Sequence, residues 1–84
     1  MIFYLIVCRS LTYAQRTAAT LERSGIPATI LRSPTGVSAN GCSYSVKIAH
    51  KRLAGALEAL NRAGLTPVSV YITSGDGSYR EVQL

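Results

Sequence analysis

Cys42 is the residue whose type and surroundings best suit chemistry. It follows a segment rich in Pro, Gly and Ser at residues 33–41 and precedes an alternating strand pattern. We expect its thiol at the mouth of a strand, where Gly36 and Gly41 let the backbone approach a ligand or change conformation. A thiolate attacks disulfides, binds soft metals and carries transferred sulfur. The alternative is a structural role, because most free cysteines are buried and pack as small apolar residues.

The one concentration of positive charge in the sequence follows this cysteine. It consists of Lys47, His50, Lys51 and Arg52, whereas the other arginines are scattered singly. A cation beside a thiol lowers the pKa of that thiol and raises its thiolate fraction. We therefore predict that Lys47, Lys51 and Arg52 assist substrate binding at Cys42. His50 has no acidic neighbour in the sequence and is expected to start a helix.

Cys8 is a candidate resolving thiol. It ends an apolar run at Ile2–Cys8, and Cys42 begins the third predicted strand. If these two strands are antiparallel neighbours, the end of one lies beside the start of the other and the two sulfurs are close. The alternative is that Cys8 is simply packed in the core.

The sequence contains no other set of residues that predicts a catalytic or metal site. The four acidic residues are scattered, so no carboxylate pair is available for acid–base catalysis. Cys8, Cys42 and His50 are one ligand short of a structural zinc site. We expect no metal and no cofactor, and a carrier or binding domain rather than an enzyme.

Length and composition predict one small domain over residues 1–84. Hydrophobic residues make up 48%, which excludes a disordered chain, and two cysteines are too few for a disulfide scaffold. No apolar run approaches the ~20 residues of a membrane span, and no signal-peptide pattern follows Met1. We therefore expect a cytoplasmic protein without a membrane partner. The net charge of +5 suits nucleic acid, a membrane surface or an acidic partner, but scattered arginines favour a role in solubility.

The order of elements predicts an α+β domain. Strands are expected at residues 2–8, 27–32, 42–48, 67–73 and 79–83, and helices at 12–24 and 50–63. The order β-α-β-β-α-β predicts a ferredoxin-like βαββαβ sandwich, an antiparallel sheet with two helices on one face. The last strand is an extra C-terminal edge strand.

The first strand should present one apolar set away from the helices. That set is either Phe3, Leu5 and Val7 or Ile2, Tyr4 and Ile6. An exposed apolar stripe on a sheet marks an association surface, so we expect a homodimer packed sheet to sheet.

Nucleic-acid binding is a third hypothesis, which the aromatic pattern disfavours. RNA-binding modules of this architecture stack bases on exposed aromatic residues of the central strands. Here Tyr44 shares its face with Val46 and Ile48, the face expected under the helices. We therefore do not expect nucleic acid as a partner.

Two segments resemble a known family. Residues 31–38 (LRSPTGVS) and 41–46 (GCSYSV) look like the signature of the selenium/sulfur carrier-like family, and the spacing of Ala14, Leu21 and Gly25 is similar. The resemblance covers about residues 3–72 and agrees with the predicted fold.

The resemblance implies a role for the cysteine of the second segment. Cys42 matches the family's cysteine and would hold a persulfide or selenosulfide, with Pro34, Ser38 and Gly41 shaping the loop around it. Ser43 stands where a glycine is expected. The partner would be a protein donor or acceptor of sulfur or selenium. The alternative function is a non-catalytic, sheet-mediated dimerisation or protein-interaction module with structural cysteines.

Overall fold

The computed structural model describes residues 2–34, 37 and 44–82. Within them lie five strands and two α-helices, the second preceded by a 3₁₀ turn. The strands are β1 (Phe3–Cys8), β2 (Thr29–Arg32), β3 (Tyr44–Ala49), β4 (Ser69–Thr73) and β5 (Arg80–Glu81); the helices are α1 (Leu11–Arg23) and α2 (Leu53–Arg62), and the 3₁₀ turn is His50–Arg52.

The strands form one sheet in the order β2-β3-β1-β4-β5, and every neighbouring pair is antiparallel. The expected α+β class, with two helices and an antiparallel sheet, is confirmed. Because β5 pairs outside β4, the five-stranded order differs from that of a four-stranded ferredoxin-like sheet.

Local sequence sets the bounds of α1. The Ser10 side chain accepts a hydrogen bond from the Tyr13 backbone N–H and caps the first turn. Gly25 follows the last turn with φ +80°, a conformation that glycine adopts without strain. Within the described part of the chain, neither helix is long and apolar enough to span a membrane.

The main core lies between the helices and one face of the sheet. Both helices contribute alanines and leucines to it, and β1 contributes Ile6 and Cys8. Val46 and Ile48 belong to the same cluster, and Tyr44 packs against it. The prediction that this face of β3 lies under the helices is confirmed.

The opposite face carries Phe3, Leu5 and Val7, and its burial corrects an expectation. Leu5 is only 2% exposed and Val7 only 3%, because Val37 packs on them with Leu31, Tyr71 and Tyr79 at the margin. The prediction of an exposed apolar stripe is therefore wrong for these two residues. Val37, from the chain's own β2–β3 connection, thus lies over part of the surface on which a sheet-to-sheet homodimer was expected.

Candidate functional site

Three strands bring their ends together where the chain enters β3. Arg32 of β2 pairs with Tyr44 of β3, and Tyr44 pairs with Cys8 of β1, so the three residues form one row across the sheet. Residues paired in this way project from the same face, here the helix face. We call this end of the sheet the Tyr44 end. The opposite end of the sheet, where β1 begins and β3 ends, is the Phe3 end.

Cys8 lies fully buried in this row. Its Sγ is 3.7 Å from Thr17 Oγ1 and 3.7 Å from the Ile6 carbonyl oxygen. Burial raises the pKa of the Cys8 thiol, and the hydrogen bond with Thr17 lowers it by a smaller amount. The neutral thiol is therefore the stable form, which is typical of a packed cysteine rather than of a nucleophile.

Positive charge collects at the Tyr44 end. The Arg32 guanidinium lies 6.0 Å from the centroid of the Tyr44 ring, and that of Arg9 lies 5.1 Å from the centroid of the Tyr13 ring. Helix α1 also begins here, with no acidic residue in its first turn to offset the positive end of its dipole. This arrangement favours an anion at the Tyr44 end.

The connection between β2 and β3 is anchored at its start. The Ser33 and Ser45 hydroxyls are hydrogen-bonded at 2.7 Å, and Ser45 is fully buried. Beyond Ser33, the Val37 backbone N–H donates to the carbonyl oxygen of Pro34 at 3.1 Å. Pro34 therefore helps to hold Val37, which packs on Leu5 and Val7, while its predicted role beside Cys42 stays a prediction.

The predicted cationic residues lie away from the Tyr44 end. Lys47 is in the middle of β3, with its ammonium 4.8 Å from the centroid of the Phe3 ring. Lys51 and Arg52 follow Ala49, the last residue of β3. A strand rises about 3.4 Å per residue, so Tyr44 and Ala49 are separated by about 17 Å.

Several predicted site residues lie outside the described part of the chain. These are Ser38, Gly41 and Cys42, and with them the predicted proximity of Cys8 to Cys42, which stays a prediction. Among the residues that the structure describes, no three His, Cys, Asp or Glu side chains lie together as a metal site would require.

Sequence reasoning missed Arg9 and Arg32. In the sequence both look like isolated surface charges, although Arg9 directly follows the candidate resolving thiol Cys8. The signal that identifies them is strand register: once β1, β2 and β3 are antiparallel neighbours, residues 8, 32 and 44 fall in one row.

Comparison with known families identifies the chain. The family described as "Putative Se/S carrier protein-like" matches residues 3–72, which include the whole of β1, α1, β2, β3 and α2. Comparison with curated proteins and with solved structures gave no match. Since the match spans most of the 84 residues, the chain belongs to the selenium/sulfur carrier-like family.

Proposed function

We propose that the protein carries sulfur or selenium on the thiol of Cys42 and passes it to a partner protein. Family membership supports this proposal most directly. Cys42 stands two residues before Tyr44 in the sequence, so the chain that bears it enters the sheet at the Tyr44 end. Pro34, Ser38 and Gly41 shape the loop in this proposal.

The loading step is an exchange between sulfur atoms. The Cys42 thiolate attacks the terminal sulfur of a donor persulfide; a new S–S bond forms on Cys42, the donor S–S bond breaks, and the donor leaves as a thiolate. Unloading is the same exchange onto an acceptor thiolate. Oxidation states balance without an added oxidant or reductant. A selenosulfide follows the same course with selenium as the transferred atom.

Charge at the Tyr44 end supports an anionic cargo. A persulfide is an anion in its reactive form, and Arg9, Arg32 and the start of α1 form the electropositive environment that stabilises thiolates. These groups replace Lys51 and Arg52 in the proposal, since the latter two follow the far end of β3.

Cys8 has no part in the transfer under this proposal. Its burial and raised pKa favour a packing role, so a resolving reaction with Cys42 would require β1 or α1 to move. The same observation is what favours the alternative function, an interaction module whose cysteines are both structural.

The wider setting is also proposed. The order β2-β3-β1-β4, with both helices on one face, supports a ferredoxin-like relationship in which β5 extends the β4 edge. We place the carrier in the cytoplasm, where thiols stay reduced. A homodimer would need a surface other than the sheet face that carries Leu5 and Val7, because Val37 lies over these two residues.

The test measures alkylation of Cys42 against pH in the Cys8→Ser variant. We expect fast labelling of the folded protein, with a midpoint well below the ~8.5 of a free thiol. Arg32→Gln should raise that midpoint, and Arg80→Gln, an equal change of charge on β5, should not. Labelling that needs unfolding would refute the carrier and support the interaction module.

A second experiment tests the transfer itself. Incubation with glutathione persulfide should add one sulfur atom to the Cys8→Ser variant, measured by intact mass. Cys42→Ser should accept no sulfur while retaining the native circular dichroism spectrum. Sulfur accepted equally by Cys42→Ser would exclude Cys42 as the carrier residue.

A further inference from the structure

Two adjoining surface cavities share Arg52. One, of about 460 Å³, runs along α2 and is lined by Lys51, Arg52 and Arg62. The other, of about 370 Å³, lies beside the first residues of β1 and β2 and is lined by Phe3, Lys47 and Arg52. Arg52 lines both cavities, and we call the surface made of these two cavities the Arg52 groove.

The Arg52 groove has an excess of positive charge. Of the four acidic residues in the chain, only Glu58 lines it, and the Glu58 carboxylate is paired with the Arg62 guanidinium. Within the described residues, Lys47, Lys51 and Arg52 have no carboxylate partner. The groove therefore attracts an anionic ligand with at least three uncompensated cations.

The rest of the lining is mixed, with Ser24 in the first cavity and Thr29 in the second beside several apolar residues. Ile26 and Ala59 line the first cavity, and Pro27 and Ala49 line the second. A ligand that contacts both cavities would place carboxylates on the cations and apolar side chains on these apolar residues. Such a ligand must pass around the Arg52 side chain, which fits an extended chain better than a compact small molecule.

The aromatic content of the groove argues against nucleic acid. Single strands bind by stacking bases on aromatic rings along a basic groove. Phe3 is the one aromatic residue in the lining, and the Lys47 ammonium occupies the space over its ring at 4.8 Å. Stacking would displace this cation–π contact.

We propose that the Arg52 groove binds an acidic, partly apolar polypeptide segment of a partner protein. This surface is distinct from the Tyr44 end and requires no reaction at Cys42. Its occupancy is therefore separable from the carrier function.

The test is fluorescence anisotropy with a labelled peptide of alternating Glu and Leu at low salt. Lys51→Gln/Arg52→Gln should weaken binding about five- to ten-fold, from the ordinary strength of exposed ion pairs. Arg16→Gln/Arg80→Gln is the matched control, because it removes the same charge from exposed residues outside the groove. Cys42→Ser should bind like the parent protein, which separates this result from failure of the carrier function.

The outcomes decide between specific docking and general charge. The proposal is supported if Lys51→Gln/Arg52→Gln loses affinity for the acidic peptide, Arg16→Gln/Arg80→Gln does not, and the matched Gln/Leu peptide binds more weakly. An equal loss of affinity in Arg16→Gln/Arg80→Gln would overturn the proposal, since net charge alone would then explain the affinity. Tighter binding of oligothymidylate than of the acidic peptide would also overturn the proposal and would favour nucleic acid as the ligand. Absence of peptide binding at low salt would overturn it as well.

Discussion

Replacement of Val37 by alanine tests whether the β2–β3 connection is part of the folded core. Val37 is 2% exposed and packs on Leu5 and Val7, so Val37→Ala removes two buried methyl groups. At about 0.8 kcal/mol for each, the free energy of unfolding should fall by about 1.6 kcal/mol. Any cavity that remains over Leu5 and Val7 would add to this loss.

The expected loss is a large part of the total stability. An 84-residue domain is stable by about 4–13 kcal/mol, at about 0.05–0.15 kcal/mol per residue. With a urea dependence of about 1 kcal/mol per molar, the unfolding midpoint should fall by about 1.6 M. Urea unfolding followed by circular dichroism measures the change, and an unaltered slope shows that the unfolded reference is unchanged.

Val68→Ala provides the matched control. It is the same substitution at a valine that is 60% exposed, so the free energy of unfolding should change by no more than about 0.5 kcal/mol. If Val37→Ala is equally mild, Val37 does not cover the sheet in solution. Leu5 and Val7 would then be open for association, and the homodimer expected from the sequence would regain its surface.

Two further predictions concern the surroundings of Cys8. Burial holds the pKa of the folded Cys8 thiol above the ~8.5 of a free thiol. The contribution of this neutral thiol to stability is therefore complete below that pH and is lost as the pH rises above it, because the unfolded chain then releases the proton first. The fall in urea midpoint between about pH 8 and about pH 10 should be smaller in Cys8→Ala than in the parent protein; an equal fall would refute this. Ser10→Ala removes the cap on the Tyr13 N–H and should cost about 1 kcal/mol by urea unfolding, whereas no change would show that water replaces the cap.

Much of the fold follows from local sequence rules. Alternation in β3 assigns Val46 and Ile48 to the helix face without any tertiary information, and Gly25 and Gly64 mark the helix ends because each adopts positive φ. The second predicted helix begins instead as a 3₁₀ turn at His50–Arg52, a boundary that local pattern does not specify.

Burial of the second sheet face could not be predicted in the same way. The alternation of β1 shows that one set of its side chains points away from the helices, but not what lies over that set. Val37 comes from a segment of loop composition, where an isolated valine carries no periodic signal. Only its position over Leu5 and Val7 in the structure turns a predicted association surface into a covered one.

The candidate site shows why sequence proximity misleads in a strand. Lys51 and Arg52 follow Cys42 closely in the sequence, yet β3 carries the chain about 17 Å from Tyr44 to Ala49 before they appear. A partner that docks in the Arg52 groove and exchanges sulfur at the Tyr44 end must therefore span the length of β3, which a folded protein does and a small persulfide does not. Lys51→Gln/Arg52→Gln should accordingly leave loading from glutathione persulfide unchanged; slower loading from that small donor would mean that these cations act on the cargo itself.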